Sequence, residues 1–220
     1  MDDKITLFVG EKNISSWSMR AYVALVFKGV PFEEQTISLL EDKDRSRRRL
    51  ISPTGKVPVL KHGDRVIPDS LAIVEYLEET FPPPTHPALW PSDPGKRANA
   101  RWLSAAMHSG FAKVREHMSF NLCFFPEPPR PPADALAEAA EMLSFWEQTL
   151  AKKTDTGPFL FGAFGGVDAM YAPAIVRLTA FRVPTAAFPR SAAYMPAVLE
   201  HPAVRRWMDE ARKMPPRKEY

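Results

Sequence analysis

The chain has 220 residues, 45% apolar and 25% charged, with a net charge of +3, which is the make-up of a globular protein of one large or two small domains with ample core. No run approaches the ~18 apolar residues of a membrane helix, and the acidic opening Met1-Asp2-Asp3 does not read as a secretory leader. The single Cys123 excludes an internal disulfide framework and fits a reducing, cytoplasmic setting; no Cys/His group has zinc spacing, so no metal is expected. The mild positive bias suits an anionic ligand and does not call for nucleic acid.

In chain order, Ile5-Thr6-Leu7-Phe8-Val9 is short, β-branched and aromatic and stops at Gly10, a buried strand. A loop rich in cap residues, Lys12 to Trp17, leads into a helix from Ser18 to Lys28. Met19, Val23, Val26 and Phe27 share one face of it, and Gly29 and Pro31 end it. A second strand centres on 34–37, and the basic stretch 41–50 is an irregular helix. Then come a strand at Val57–Leu60, a turn at Gly63-Asp64, a strand at Arg65–Ile67 and a helix from Ser70 to Thr80. The order β-α-β-α-β-β-α implies a parallel pair with a right-handed crossover, closed by an antiparallel hairpin. Prolines 82, 83, 84, 87, 91 and 94 make a stiff connector. Beyond it nothing reads as a strand. A long helix is expected over 96–122, a second proline-rich loop over 125–132 and a helix over 133–153. A Gly/Phe-rich turn at 157–166 precedes an apolar, central helix over 168–182; shorter helices then run to 213, with a loose polar tail from Met214. The expected division is an α/β domain at 1–83, a linker at 84–96 and an all-helical domain at 97–220.

Gly55-Lys56-Val57-Pro58-Val59-Leu60 carries more than secondary structure. Proline has no N–H for a ladder, so Pro58 marks a break in the strand pattern, and a cis X-Pro bond is the usual form of such a break. The break leaves the N–H and C=O of Val57 for another partner, which an extended peptide supplies as an added strand does. Ten residues on, Asp69-Ser70 opens a helix whose free N–H groups and dipole attract a carboxylate. Together the two features suit a small, extended, anionic peptide; the alternative is a turn proline followed by an ordinary N-cap.

Thr54-Gly55-Lys56-Val57-Pro58-Val59-Leu60, with Ile67-Pro68-Asp69-Ser70-Leu71-Ala72-Ile73-Val74-Glu75-Tyr76-Leu77, resembles the glutathione-binding half of cytosolic glutathione transferases. That family's pattern is a Val-Pro with cis-proline, then an acidic residue, more often Glu, and a serine opening a helix. The likeness extends to the helical half, where Phe159-Leu160-Phe161-Gly162 and Val167-Asp168-Ala169 resemble the start of the family's central helix. Gly165 stands at the usual Ser/Thr cap position, an acceptable substitute, and Asp168 reads as a capping residue. The resemblance implies a thioredoxin-like domain followed by an all-helical one, glutathione as co-substrate, a small electrophile as second substrate, and a two-fold homodimer.

It also implies a site. A thiol with a pKa near ~8.5 is mostly protonated at neutral pH. A donor aimed at the sulfur favours the thiolate, at about 1.4 kcal/mol per pKa unit. Ser15-Ser16-Trp17-Ser18-Met19-Arg20 is similar to the zeta-class motif Ser-Ser-Cys-Ser-x-Arg, with Trp17 in place of the cysteine. The match gives Ser15 the catalytic position, with Ser16 as runner-up; the alternative is that these serines only cap the helix. By resemblance Val57 pairs with the cysteinyl backbone, Asp69 faces the γ-glutamyl ammonium and Ser70 its carboxylate. Lys43 and Lys56 are candidates for the glycyl carboxylate. The run Arg45-Ser46-Arg47-Arg48-Arg49 reads as a solvated helix face. The electrophile pocket is expected between the halves, from Ile14, Trp17, Met107, Phe111, Tyr171 and Arg177. Arg177 is either a paired core arginine or an anion-binding group. The expected activity is conjugation or isomerisation by the glutathione thiolate. The alternative is a non-catalytic binding protein of the same fold, like the stringent-starvation-like proteins. With no cysteine at the helix start, little thiol–disulfide exchange is expected; a peroxidase or reductase would have to use Cys123.

Overall fold

The structure, a computed structural model, describes residues 4–121 and 128–215, without the side chains of Asp42 and Lys43. The candidates Lys43 and Cys123 therefore lie outside what is described. The first half holds β1 (Ile5–Val9), α1 (Ser16–Lys28), β2 (Glu33–Thr36), α2 (Asp42–Ile51), β3 (Val59–His62), β4 (Arg65–Pro68) and α3 (Ser70–Thr80). Its sheet has the order β2-β1-β3-β4. β1 pairs in parallel with β2, Leu7 opposite Glu34, and antiparallel with β3, Leu7 opposite Leu60; β3 and β4 form the closing hairpin. This is the thioredoxin-like arrangement that the element order implies.

Strand alternation sorts the core. Ile5, Leu7 and Val9 face the main core beneath α1 and α3, while Phe8, with Ile37, Val59 and Ile51, forms a small cluster beneath α2. β2, Glu-Glu-Gln-Thr, is exposed throughout, as suits a polar edge strand.

The second half is helical: α4 (Pro94–Ser109), α5 (Ala112–His117), α6 (Ala133–Ala151), α7 (Gly166–Ala180), α8 (Pro189–Glu200) and α9 (Pro202–Ala211). α1 is the hub of the molecule. It packs on α3 within its own half and on α7 and α9 of the other, so the halves share one hydrophobic core. Only Trp17, Val26 and Phe27 of α1 escape full burial. The enclosure takes in Arg20 and Lys28, the latter held by Glu78 Oε2 (2.5 Å) and the Phe81 carbonyl (2.7 Å).

Several boundaries differ from the sequence reading, four of them with a consequence for the site or the core. α1 starts at Ser16, two residues early. β3 starts at Val59: Pro58 has no N–H to give the ladder, and the cis Val57–Pro58 pair precedes it. The single helix expected over 96–122 breaks at Gly110, where a Cβ would stand 2.8 Å from the Ala106 carbonyl, and at Phe111, which is left-handed (φ 60°). The Arg115 guanidinium then takes up the α4 carbonyls that the break exposes, those of Gly110 (2.8 Å), His108 (3.3 Å) and Met107. The tail is not loose up to Pro215, whose carbonyl accepts from Asn13 Nδ2 at 2.9 Å. Beside it, buried Lys12 joins Glu34 Oε2 (2.6 Å) and Glu210 Oε2, with its ammonium 4.3 Å from the Tyr22 ring centroid.

At the start of α7, Asp168 Oδ2 accepts from the Gly165 N–H (2.8 Å) and Oδ1 from the Tyr194 hydroxyl (2.8 Å). Burial raises its pKa to about 7 against the pull of those donors. A Cβ at 165 would meet the Leu89 carbonyl at 2.8 Å, which explains glycine where a serine or threonine is usual.

Candidate active site

A cleft of about 790 Å³ runs between the sheet end of the first half and α4–α7 of the second. The residues at its walls come from several separate stretches of chain. Ser15 and Ser16 sit at the start of α1, Val57 and Pro58 at the cis bond, Asp69 and Ser70 at the start of α3, and Arg177 on α7. Ile14, Trp17 and Lys56 also line it.

Ser15 is the N-cap of α1, yet its side chain makes no capping hydrogen bond. Its hydroxyl instead donates to Ser18 Oγ (2.7 Å), which also accepts from the Gly10 N–H (3.1 Å). Ser16, the first residue of the helix, has its Oγ taken as acceptor by Arg177 Nη2 at 3.0 Å. The N–H groups of this first turn have no intrahelical acceptors and add the positive end of the helix dipole.

Asp69 holds the positive φ of 85° and caps α3, its Oδ1 accepting from the N–H groups of Leu71 (2.8 Å) and Ala72 (3.2 Å). Its Oδ2 lies 3.2 Å from His108 Nε2. Ser70 is wholly buried, and its Oγ has no hydrogen-bond partner among the described residues. A buried hydroxyl left in this way is unfavourable by about 1–3 kcal/mol, and a ligand carboxylate at the helix start would relieve it.

Three arginines converge under this wall. Trp17 packs against two of them, with Arg20 Cζ 4.3 Å and Arg115 Cζ 4.9 Å from its ring, and His108 meets it edge-on at 5.2 Å. Arg20 is buried, with Nε and Nη1 unpartnered. Burial first, then repulsion from Arg115 and Arg177, lowers its pKa to about 9, against the pull of Asp69. Arg177 falls to about 10 through burial and then Arg115. Both remain cationic at neutral pH. His108 is shifted down by burial, with Asp69 pulling up and the two nearby arginines pushing down; it is a neutral partner of Asp69 at pH 7. The cleft thus offers excess positive charge.

Met107, Phe111 and Tyr171, expected in the electrophile pocket, do not line this cleft. All three are buried in the core, and the Tyr171 hydroxyl donates to the Leu103 carbonyl (3.0 Å). Met107 lies next to His108, and one residue on a helix is a rotation of about 100°, so the neighbour faces the cleft instead. Phe111 is turned inward by the helix break. His108, Arg115, Ser119 and Phe120 line the cleft and were not singled out from the sequence, and Arg48, read there as part of a solvated helix face, lines it too. Arg20 was legible as the last residue of the Ser-Ser-x-Ser-x-Arg motif; the others lie on helical patterns with no local signal.

A thioredoxin-like half carrying Val–cis-Pro and an acid–serine helix start, joined to a helical half across such a cleft, is the two-part architecture that the sequence motifs imply. Comparison with known proteins agrees. Residues 98–210 match the glutathione S-transferase C-terminal domain and residues 11–85 the glutathione S-transferase N-terminal domain. The chain belongs to the glutathione S-transferase family. It is 45% identical over 96 residues to a probable maleylacetoacetate isomerase of Caenorhabditis elegans, a match spanning 44% of each chain. The chain spans less than half the length of the curated relatives it matches first. Among solved structures, a glutathione transferase homologue from Burkholderia with bound glutathione superposes with a TM-score of 0.71 at 28% identity, covering 96% of this chain and 99% of that one. A bacterial maleyl pyruvate isomerase, a zeta-class glutathione S-transferase, gives 0.72 at 26% identity, covering 96% and 100%.

Proposed function

We propose that the protein is a glutathione transferase that holds the glutathione sulfur as thiolate at the start of α1 and directs it at a small electrophile carrying a carboxylate. The observation that carries the reading is the convergence, in one cleft, of the serine-opened α1, the orphaned Ser70 hydroxyl and arginines that lack a carboxylate within ion-pair distance among the described residues. The names of the relatives support catalysis over the non-catalytic alternative.

The residues fit glutathione. Ser70 and the N–H groups at the α3 start suit the γ-glutamyl carboxylate, and Asp69 the ammonium beside it. The main chain of Val57, outside the ladder, suits the cysteinyl unit. Lys56 and Arg48, at the opposite edge, suit the glycyl carboxylate. Glutathione supplies the nucleophilic sulfur, which adds to an electrophilic carbon and either stays, in conjugation, or leaves again, in isomerisation. A serine hydroxyl and the α1 dipole hold the sulfur's negative charge, and Arg177 and Arg115 orient an anionic electrophile. Ile14 and Trp17 cover its apolar part. In this reading residues 1–83 form the glutathione-binding domain and 97–220 the helical one, and the protein works in the cytoplasm as a two-fold dimer. Exposed Val66 on β4 and Trp102 on α4 support the dimer.

The test is a pair of matched electrophiles, one a cis-enone carboxylate and one its methyl ester, assayed with glutathione. A higher kcat/KM for the carboxylate, with free thiol conserved, supports isomerisation of an acid; thiol consumption at equal rates for both refutes the anionic pocket.

A further inference from the structure

Building on the transferase reading, we infer that Ser16, rather than Ser15, donates the hydrogen bond to the glutathione sulfur, and that Arg177 is its positioning residue, reaching across from the helical half.

Direction of donation decides between the two serines. A hydroxyl has one proton and two acceptor lone pairs. The Ser15 proton is directed to Ser18 Oγ at 2.7 Å, a fully buried atom that is not part of the cleft lining. Ser18 Oγ is tied in turn to the Gly10 N–H. At Ser16 the arrangement is reversed. Arg177 Nη2 donates into Oγ at 3.0 Å, so a lone pair is engaged and the proton is left for an acceptor in the cleft. Both residues line that cleft.

Arg177 is built to hold this pose. Its Nη1 donates to the Met118 carbonyl and its guanidinium lies 5.7 Å from the Phe120 ring. Among the described residues no carboxylate is within ion-pair distance of it, and the charge that shifts it, after burial, is another cation, Arg115. An uncompensated cation bonded to a hydroxyl oxygen polarises the O–H and strengthens the bond that the hydroxyl donates to an anion. When the thiol ionises, its proton passes to water; Ser16 keeps its own proton and donates a hydrogen bond to the sulfur. The step needs α1 and α7 in register, so the helical half contributes to thiol activation before any electrophile arrives.

The test is the ultraviolet thiolate absorbance of glutathione bound to the full-length protein, titrated with pH and without electrophile, with binding measured separately by calorimetry. Ser16→Ala and Arg177→Gln are each expected to raise the bound thiol pKa by about one unit, a tenfold loss of thiolate at fixed pH. The double variant is expected to go no further, since the two act as one unit. Ser16→Thr keeps the hydroxyl and restores the wild-type value. Arg177→Lys, which cannot hold both Met118 and Ser16, gives an intermediate one. A role for Arg177 confined to the electrophile leaves the titration unmoved and overturns the inference. A rise in Ser15→Ala with none in Ser16→Ala overturns it as well, while saturable binding keeps the transferase reading. Absence of saturable glutathione binding overturns both.

Discussion

Ser70→Ala should change stability and binding in opposite directions. Ser70 is the first residue of α3, fully buried, with no partner for Oγ. Removing an unsatisfied buried hydroxyl relieves a penalty of about 1–3 kcal/mol. Part of that is returned as the small void left behind, and alanine is well suited to a helix. A net gain of about 1 kcal/mol in unfolding free energy is expected. In the complex the same hydroxyl donates to a ligand carboxylate, a charged hydrogen bond of about 1.5–3 kcal/mol, so the dissociation constant for glutathione should rise by roughly 10- to 150-fold. Urea denaturation of the free protein and calorimetric titration with glutathione read the two effects separately. A variant that is less stable by 1 kcal/mol or more and binds glutathione as well as wild type would show that Ser70 is an ordinary packing residue, and the assignment of the γ-glutamyl site would be wrong.

Three further outcomes are expected. Lys12→Met strands two partly buried carboxylates, Glu34 and Glu210, and removes a cation from the Tyr22 ring. It should lower stability by about 2 kcal/mol, and a change under 0.5 kcal/mol would deny the Lys12 link between the halves. Tyr171→Phe deletes a buried hydrogen bond to Leu103. It should destabilise by about 1 kcal/mol with kcat/KM unchanged, and a selective loss of kcat/KM would return Tyr171 to the substrate pocket. His201 stacks on Phe164 at 3.7 Å and accepts from the Ala203 N–H through Nδ1 (3.3 Å). Burial lowers its pKa below the ordinary 6.5. The unfolded chain therefore binds the proton more readily, so the contribution is complete above pH 6.5 and is lost as pH falls through 6.5 and below. Wild type should lose stability relative to His201→Asn over that acid range, by denaturation at stepped pH; parallel curves would contradict the assignment.

The fold was legible because its signals are local. Gly29 and Pro31 stop α1, the β-branched run fixes β1, and the prolines at 82–94 part the two halves. Val57-Pro58 and Asp69-Ser70 were legible for the same reason, each a short motif whose backbone chemistry implies its use. Of the helical wall of the cleft, Arg177 was legible as a charge on an apolar helix and the rest was not. Its residues lie on amphipathic helices where Met107 and His108 differ only by rotation, and the choice between them was fixed by the break at Gly110-Phe111, which reads as an ordinary interruption. Nor does sequence show the direction in which a hydroxyl donates: Ser15 and Ser16 are neighbours in one motif, and only the Ser18 and Arg177 contacts tell them apart. The Trp17 substitution likewise acquires meaning only in three dimensions, as a ring in contact with both Arg20 and Arg115.

The most direct test of thiol activation is the pKa of the glutathione sulfur bound to wild-type protein, read from thiolate absorbance. The serine, the α1 dipole and the uncompensated arginines should bring it at least about one unit below the free-thiol value near 8.5. Saturable binding with the thiol still titrating at its free value would contradict the account and leave a glutathione-binding protein without transferase chemistry.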